Sequence, residues 1–241
     1  MPEHLAALVA ASIVAGGIAS VTGFGIGSIL TPTLSLWIDG RIAVALVAIP
    51  HLIGTVVRFA MVKGQVDRGV LWRFGLASAA GGLIGALFQT TVGGDRLMIV
   101  LAALLLFVAI SELTGLASRM RFTGPAAWIA GVMSGLLGGL VGNQGGIRSG
   151  ALFGFGLSRD ALVATATAIA LFVDGARLPV YLMTAGADVW AHRQEAAVAS
   201  VGVVAGTIAG ARVLRRIPET VFRKVVAMLL AILGISLLIR A

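Results

Sequence analysis

Two glycine-rich breaks interrupt the long apolar stretches of this chain, one in each half. The first reads Thr-Gly-Phe-Gly-Ile-Gly from residue 22, and the second reads Gly-Asn-Gln-Gly-Gly from residue 142. A helix that starts after such a break directs unpaired backbone N–H groups and the positive end of its dipole towards the break, and such ends bind anions without a cationic side chain. Glycine also lets a ligand approach the backbone closely. The residues expected to line an anion site are Thr22, Gly23, Phe24 and Gly25 at the first break and Asn143, Gln144, Gly145 and Gly146 at the second.

A purely structural role is the alternative for both breaks. Each would then be a kink whose freed backbone groups are satisfied by neighbouring helices. The recurrence of the break in both halves, and the two amide side chains of Asn143 and Gln144 in the second, favour a binding role.

Each break is followed by an arginine within an apolar stretch, Arg58 in the first half and Arg177 in the second. Arg58 lies about one turn before Lys63, so we expect its side chain to snorkel to the headgroups, with substrate contact as the second interpretation. Arg177 lies deeper, where a charge costs at least about 2.5 kcal/mol and marks a functional site. Asp174 lies one helical turn before it on the same face. Either the pair neutralises itself, or Arg177 contacts an anion while Asp174 carries a coupled proton.

His51 and Arg148 are two further candidate functional residues. His51 follows Pro50 in the middle of an apolar segment. A histidine titrates near neutral pH, which makes His51 a second candidate for proton coupling, with a hydrogen-bonded packing role as the alternative. Arg148 follows the second break closely and is either a cavity cation or an interfacial residue.

The composition shows what kind of protein must position these residues. Apolar residues make up 59% of the 241 residues and charged residues only 12%, with a mean hydropathy of +1.03. Soluble domains carry about 25% charged residues. A soluble core this apolar would lack the polar surface to cover it, so the sequence predicts an integral membrane protein.

The length of the chain limits the number of spans. A membrane-spanning helix needs about 20 apolar residues, so the sequence predicts an all-α membrane protein of about eight transmembrane helices. Shorter apolar pieces at 26–38 and 147–157 follow the breaks and are expected to be half-helices or re-entrant segments. The predicted spans are 5–22, 42–62, 70–91, 97–116, 125–142, 160–185, 196–213 and 221–239.

An internal repeat relates the two halves. A shift of 119 residues superposes Gly23 on Gly142 and Arg58 on Arg177. Further along, at a shift of 125, the pattern Gly81-x-x-x-Gly85 matches Gly206-x-x-x-Gly210. Such small-residue pairs let helices pack closely in lipid. We therefore expect one transmembrane domain over residues 1–241, made of two homologous repeats at about 1–116 and 125–241 that face each other across a cavity. Parallel and inverted arrangements of the repeats both remain open.

Several function classes have little support in the residues. The three histidines are far apart in the chain, and no HExxH, Walker lysine loop or GxSxG is present, so we expect neither an enzyme nor a metal or cofactor site. The net charge of +8 comes from basic residues at segment ends rather than from a tail or an aromatic-interleaved patch, so we expect no nucleic acid partner. Basic residues are spread almost equally over both predicted sides, which leaves the membrane orientation open.

The glycine motif that ends the first helix, its echo at Gly142–Gly146, the eight predicted spans and the short two-repeat chain resemble the TauE/SafE sulfite exporter family of bacterial and archaeal permeases. The resemblance covers nearly the whole chain. It implies transport of small sulfur-containing anions, such as sulfite or sulfonates, across the cytoplasmic membrane. The second motif departs from the usual glycine run at Asn143 and Gln144, so the resemblance does not define the substrate.

The sequence therefore predicts a secondary transporter of a small sulfur oxyanion in the cell (inner) membrane. A channel-like conductor and a transporter of another anion, such as carboxylate, sulfate or thiosulfate, are the alternatives. An intramembrane enzyme or a receptor-like subunit is a more distant one. The expected partners are the anionic substrate and the lipid bilayer, and a homodimer is left open.

Overall fold

A computed structural model describes residues 3–116, 122, 124–143, 145–213 and 217–240 of the chain. These residues form α-helices joined by short connections, with a 3-10 turn at Lys63–Gln65 and no strand. In chain order the helices are α1 (Glu3–Thr22), α2 (Ile26–Leu34), α3 (Gly40–Val62), α4 (Arg68–Gln89), α5 (Gly94–Leu113), α6 (Pro125–Val141), α7 (Gly145–Phe153), α8 (Arg159–Ala191), α9 (Arg193–Val213) and α10 (Glu219–Arg240).

The all-α membrane fold predicted from the sequence is confirmed. Seven of the described helices are long and apolar enough to cross a membrane, and α6 is a shorter apolar helix of 17 residues. The two pieces that follow the breaks, α2 and α7, are half-helices of nine residues each. Polar caps mark where several spans begin: Asp67 accepts a hydrogen bond from Val70 N–H at 2.8 Å, and Ser158 accepts one from Ala161 N–H at 3.3 Å.

The helices stop at both predicted breaks. One helix ends at Thr22 and the next begins at Ile26, while the second break separates Val141 from Gly145. Helix α8 contains Pro179, but it departs from helical φ and ψ at Ala185, with φ −134° and ψ 19°. The helix continues to Ala191 rather than ending near residue 185 as predicted.

Contacts between helix ends define a first side of the bundle. The rings of His4 and Trp37 lie 6.0 Å apart, so the chain after α2 has returned to the start of α1. The Gln89 side chain donates a hydrogen bond of 2.9 Å to the Arg41 carbonyl, which brings the end of α4 to the start of α3. Helices α1, α3 and α5 therefore begin on this first side, and α1 and α2 form a hairpin that enters from it.

The opposite end, the second side, is where α4, α8 and α10 begin. The Glu112 carboxylate near the end of α5 lies 2.7 Å from the Arg223 guanidinium near the start of α10. The backbone N–H of Asp67, just before α4, donates to the Thr165 hydroxyl near the start of α8 at 2.9 Å. The segments 3–113 and 125–240 thus contain matching sets of five helices that run in opposite directions. This inverted order follows because each set has an odd number of helices.

The helices of the two segments interlock. The two most extensive interfaces among the described helices join α1 to α9 and α4 to α6. A Cβ added to Gly206 would overlap the Ile13 carbonyl, and a Cβ added to Gly81 would overlap the Val132 carbonyl. The two contacts correspond to each other, because Gly81 and Gly206 are related by the shift of 125 and Ile13 and Val132 by the shift of 119. The small-residue pairs therefore pack helix backbones against each other, as their spacing predicts.

Candidate functional site

The first break is a tight turn built by two glycines and a threonine. Gly23 and Gly25 have φ values of 82° and 126°, which L side chains rarely adopt. The Thr22 hydroxyl lies 2.6 Å from the Phe24 carbonyl oxygen and accepts a hydrogen bond from the Phe24 N–H at 3.2 Å. Thr22 thus closes the turn with its own backbone neighbours.

The second break has similar geometry. Gly142 caps α6 in the left-handed region at φ 75°, and its N–H donates to the Gly138 carbonyl at 3.1 Å. Asn143 follows and is buried. Gln144 lies outside the described residues. Gly145 and Gly146 open the next half-helix, α7.

The two breaks contact each other inside the bundle. A Cβ on Gly27 would overlap the carbonyl oxygen of Gly142, and a Cβ on Gly145 would overlap the side chain of Phe24. The backbone of each hairpin therefore approaches the other as closely as glycine allows. The sequence predicts that the two glycine motifs share one site, and this contact brings them together.

A small cavity lies between the breaks. Its volume of about 10 Å³ corresponds to roughly one water, so the site is closed in this conformation. Thr22, Arg58 and Arg177 do not line it. Four residues outside the glycine motifs do, namely Ser28, His51, Arg148 and Ala170. The remaining lining residues are Gly23, Phe24, Gly25, Gly27, Gly142, Asn143 and Gly145.

A buried carboxylate connects a cavity residue to an arginine. The Asp174 Oδ2 lies 2.7 Å from His51 Nδ1, and Asp174 Oδ1 lies 2.8 Å from Arg177 Nη2. Both Asp174 and Arg177 are completely buried. The predicted Asp174–Arg177 pair is thus present, and His51 joins it from a helix 123 positions away in sequence. With Nδ1 bound to the carboxylate, Nε2 of His51 is the ring nitrogen left to act at the cavity.

The other contacts of Arg177 reach the helix that precedes the second break. Its Nη1 donates to the Gly138 carbonyl at 2.7 Å, and the nearby Tyr181 hydroxyl donates to the Gly139 carbonyl. Both carbonyls belong to the last turn of α6, and that of Gly138 accepts the Arg177 bond in addition to the one from the Gly142 N–H. A cation at that end also interacts favourably with the helix dipole.

Arg58 has the same role at the first break, and the snorkelling interpretation is wrong. The side chain is buried, donating from Nη1 to the Ala19 carbonyl at 3.1 Å and from Nε to the Thr167 hydroxyl at 2.9 Å. Ala19 and Gly138 are separated by the same 119 residues as the two arginines. Arg58 is held in the interior because α1 ends there and offers it carbonyl oxygens. The position of Arg58 close to Lys63 in the sequence did not indicate that its side chain would be buried.

Arg148 is the guanidinium that lines the cavity. Its Nη1 donates to the Ala166 carbonyl at 3.2 Å, and the residue is buried. Of the two interpretations of Arg148, cavity cation and interfacial residue, the structure supports the first. Its position just after the second break was the signal in the sequence.

Buried polar atoms near the breaks remain unpaired within the part of the chain that the structure describes. These are the Asn143 amide nitrogen and the hydroxyls of Thr31 and Thr55. Buried polar groups of this kind are uncommon and call for an explanation. Of these three residues, Asn143 is the one that lines the cavity.

A larger vestibule opens on the second side. It consists of two adjoining pockets of about 270 and 360 Å³ that share Val21, Arg159, Val163 and Phe222. Phe24 lines both the first of these pockets and the small cavity, so its ring lies between the vestibule and the breaks. An anion entering from the second side would meet Phe24 before it reached the glycine backbone.

Broken helices at matching places in two oppositely directed halves, with a site where the breaks meet, are the architecture of a membrane transporter. A family model described as sulfite exporter TauE/SafE matches residues 8–237 of the 241. The chain belongs to the TauE/SafE family of membrane transport proteins. Comparison with curated proteins gives no match. Comparison with solved structures gives none either.

We expect the buried Asp174–Arg177 pair to contribute more to the free energy of unfolding than the partly exposed Glu112–Arg223 pair. Arg177→Ala removes the guanidinium beside the buried Asp174 carboxylate, leaving His51 as the contact described for it, and should cost about 3 kcal/mol of unfolding free energy. The matched change Arg223→Ala removes the half-buried partner of Glu112 and should cost less than about 1 kcal/mol. Thermal unfolding of the purified variants in detergent measures both effects.

The double variant separates structural from functional roles. Arg177→Ala combined with Asp174→Ala should recover part of the lost stability because no buried carboxylate is left without its arginine, while the loss of the Arg177–Gly138 and His51–Asp174 hydrogen bonds remains. We expect it to remain inactive in transport. Normal transport by a stable double variant would show that the pair is scaffold only.

Proposed function

We propose that this protein is a secondary transporter that moves a small sulfur-containing oxyanion, such as sulfite or an organosulfonate, across the cytoplasmic membrane. The observation that carries the proposal is the meeting of the two glycine breaks around a cavity lined by Arg148 and Asn143. Family membership supports the sulfur chemistry. Transport rather than catalysis is the expected activity.

Backbone and side chains together offer an oxyanion several donors. Helix α2 begins beside the cavity, and no side chain caps its Gly25 end. Its first N–H groups and the positive end of its dipole therefore suit a negative ligand. Arg148 adds a planar set of N–H donors that matches the geometry of oxyanions.

An asymmetry between the two sides supports alternating access. The second-side vestibule contains Val163 and the Glu112–Arg223 ion pair. Shifting Val163 by 119 residues gives Val44, which is completely buried. At the shift of 125, Glu112 corresponds to Leu237 and Arg223 corresponds to Met98, and both of these apolar residues are buried. The second side of the pathway is thus open at positions whose counterparts on the first side are buried. If the first side took up the open packing and the second side the buried one, the site would be accessible from the first side instead.

The transport assay uses purified protein in proteoliposomes and radiolabelled sulfite, with sulfate, thiosulfate and carboxylates as competitors. Gly145→Val should abolish uptake because its side chain would overlap Phe24. Gly175→Val is the control, since a Cβ at Gly175 meets no atom within 4 Å. Both variants should insert into the membrane normally. Sulfite uptake by Gly145→Val at the wild-type rate would refute the site, and uptake rising linearly with concentration would indicate a channel.

Alternating access can be tested by cysteine labelling, because the chain contains no cysteine. In the absence of substrate we expect Val163→Cys to react with a membrane-impermeant maleimide added from the second side and Val44→Cys to be protected. During turnover the Val44→Cys variant should become reactive from the first side. Protection of Val44→Cys throughout turnover would contradict the exchange of packings.

We also propose that His51 and Asp174 couple transport to protons. His51 lines the cavity and contacts the buried Asp174 carboxylate. A proton on its ring would therefore change the electrostatic potential both at the cavity and at Arg177. In His51→Gln, which keeps a polar side chain but cannot titrate, we expect transport to continue down a substrate gradient. Its stimulation by an imposed pH gradient should be lost. Unchanged stimulation would remove His51 from the coupling mechanism.

A further inference from the structure

A groove of about 430 Å³ opens on the outer face of the bundle beside the vestibule. It lies between α1, α9 and α10, and every residue that lines it is apolar. Because α9 ends and α10 begins on the second side, the groove lies towards that side. The exposed side chains along it are Ile13, Val14, Val213, Ile217, Val221 and Val225.

Small residues on two of these helices leave room for the groove. Gly17 of α1 and Ala209 of α9 both line it. The corresponding residues of the other half are larger, Leu136 at the shift of 119 and Ile84 at the shift of 125. Gly17 also lets α1 approach Gly210, where an added Cβ would lie 2.5 Å from the Gly17 Cα. Ala209 is exposed, so a larger side chain there would fill the groove rather than disturb this helix contact.

The chemistry of the groove favours a hydrocarbon occupant. The side chains that line it are apolar and give water no hydrogen-bond partner. Apolar cavities of this kind stay dry and take up apolar ligands. In a membrane protein the outer face of the bundle meets the bilayer, and an acyl chain gains about 0.8 kcal/mol for each methylene group that it buries. A lipid acyl chain is therefore the occupant that matches the groove.

Basic residues flank the second-side end of the groove. Arg212 lies three residues beyond Ala209 on α9. Lys224 lies three residues beyond Val221 on α10. Each therefore shares a helix face with a residue that lines the groove, and both are exposed. Residues 212–224 contain five basic residues and one acidic residue. Clusters of this kind at a membrane surface attract anionic headgroups.

We propose that the groove and these two basic residues form a binding site for an anionic phospholipid. One acyl chain occupies the groove, and Arg212 and Lys224 hold the phosphate of the headgroup. The site borders the vestibule, because Ile217, Phe222 and Val226 line both the groove and a vestibule pocket. A lipid bound here packs against the wall of the route that an anion would take. Lipid binding at this site is independent of which ion the protein transports.

Two phospholipids with the same acyl chains separate the headgroup from the chain. The purified protein in detergent is titrated with dioleoylphosphatidylglycerol, which is anionic, or with dioleoylphosphatidylcholine, which is zwitterionic. Native mass spectrometry resolves the bound lipids. We expect the first phosphatidylglycerol to bind at least about tenfold more tightly than the first phosphatidylcholine, because each basic residue near the headgroup adds to the attraction.

Variants of the groove test the position of the acyl chain. Ala209→Phe fills the groove and should weaken phosphatidylglycerol binding at least about tenfold, the effect of burying about two fewer methylene groups. Ala197→Phe adds the same ring at another exposed alanine of α9, outside the groove, and should leave binding unchanged. If Ala209→Phe does not fold, Ala209→Ile takes its place, with a smaller effect in the same direction.

Variants of the basic residues test the headgroup contact. Arg212→Gln combined with Lys224→Gln removes two positive charges, so the affinity for phosphatidylglycerol should fall to that for phosphatidylcholine. The affinity for phosphatidylcholine should not change. Lys63→Gln combined with Arg68→Gln removes the same charge from exposed residues elsewhere on the second side and should leave both affinities unchanged.

Three results would overturn the proposed lipid site. Equal affinities of the wild type for the two lipids would exclude selection of an anionic headgroup. Phosphatidylglycerol binding that persists unchanged in folded Ala209→Phe would exclude the groove. A dimer of the wild type that is lost in Ala209→Phe would show that a second copy of the chain covers the groove instead. The proposed anion transport would stand after any of these results.

Discussion

The structure depends on how two helices can end inside an apolar protein. A helix terminus leaves backbone carbonyls without partners, and no lipid or apolar side chain can satisfy them. Arg58 donates to the carbonyl of Ala19 near the end of α1, and Arg177 donates to that of Gly138 near the end of α6. The same two carbonyls also accept hydrogen bonds from the Gly23 and Gly142 N–H groups. Each arginine therefore adds a second, charged donor where a broken helix ends, and each break combines its own glycines with an arginine from another helix.

This use of the arginines links the breaks to the polar interior. Arg177 holds the end of α6 and also contacts Asp174, which in turn binds His51 at the cavity. A ligand that altered the charge or position of His51 would act on the same network that fixes the second hairpin. Among the described residues, the hydrogen bonds of Arg58 at the first break go to carbonyl and hydroxyl oxygens. The second break is thus linked through Arg177 and Asp174 to the titratable ring of His51, which comes from the first half.

Corresponding helices of the two halves carry different side chains at several equivalent positions. The order of helices recurs at fixed shifts, yet the Glu112–Arg223 pair beside the vestibule corresponds to buried Leu237 and Met98. We propose that the halves arose by duplication of one five-helix unit. Under this proposal their opposite directions would give two related access routes, one beside a charged pair and the other beside buried apolar side chains. Arg148 in the second half likewise corresponds to an isoleucine in the first.

The membrane fold and the positions of both breaks could be predicted from the sequence. Hydropathy is a local property summed over one span, and Gly23 and Gly142 are needed where the backbone adopts positive φ. The direction of the second half, the pairing of His51 with Asp174 and the burial of Arg58 are evident only in the folded structure. These depend on contacts between helices far apart in sequence, and hydrophobic patterns within one helix do not specify which helix lies beside it.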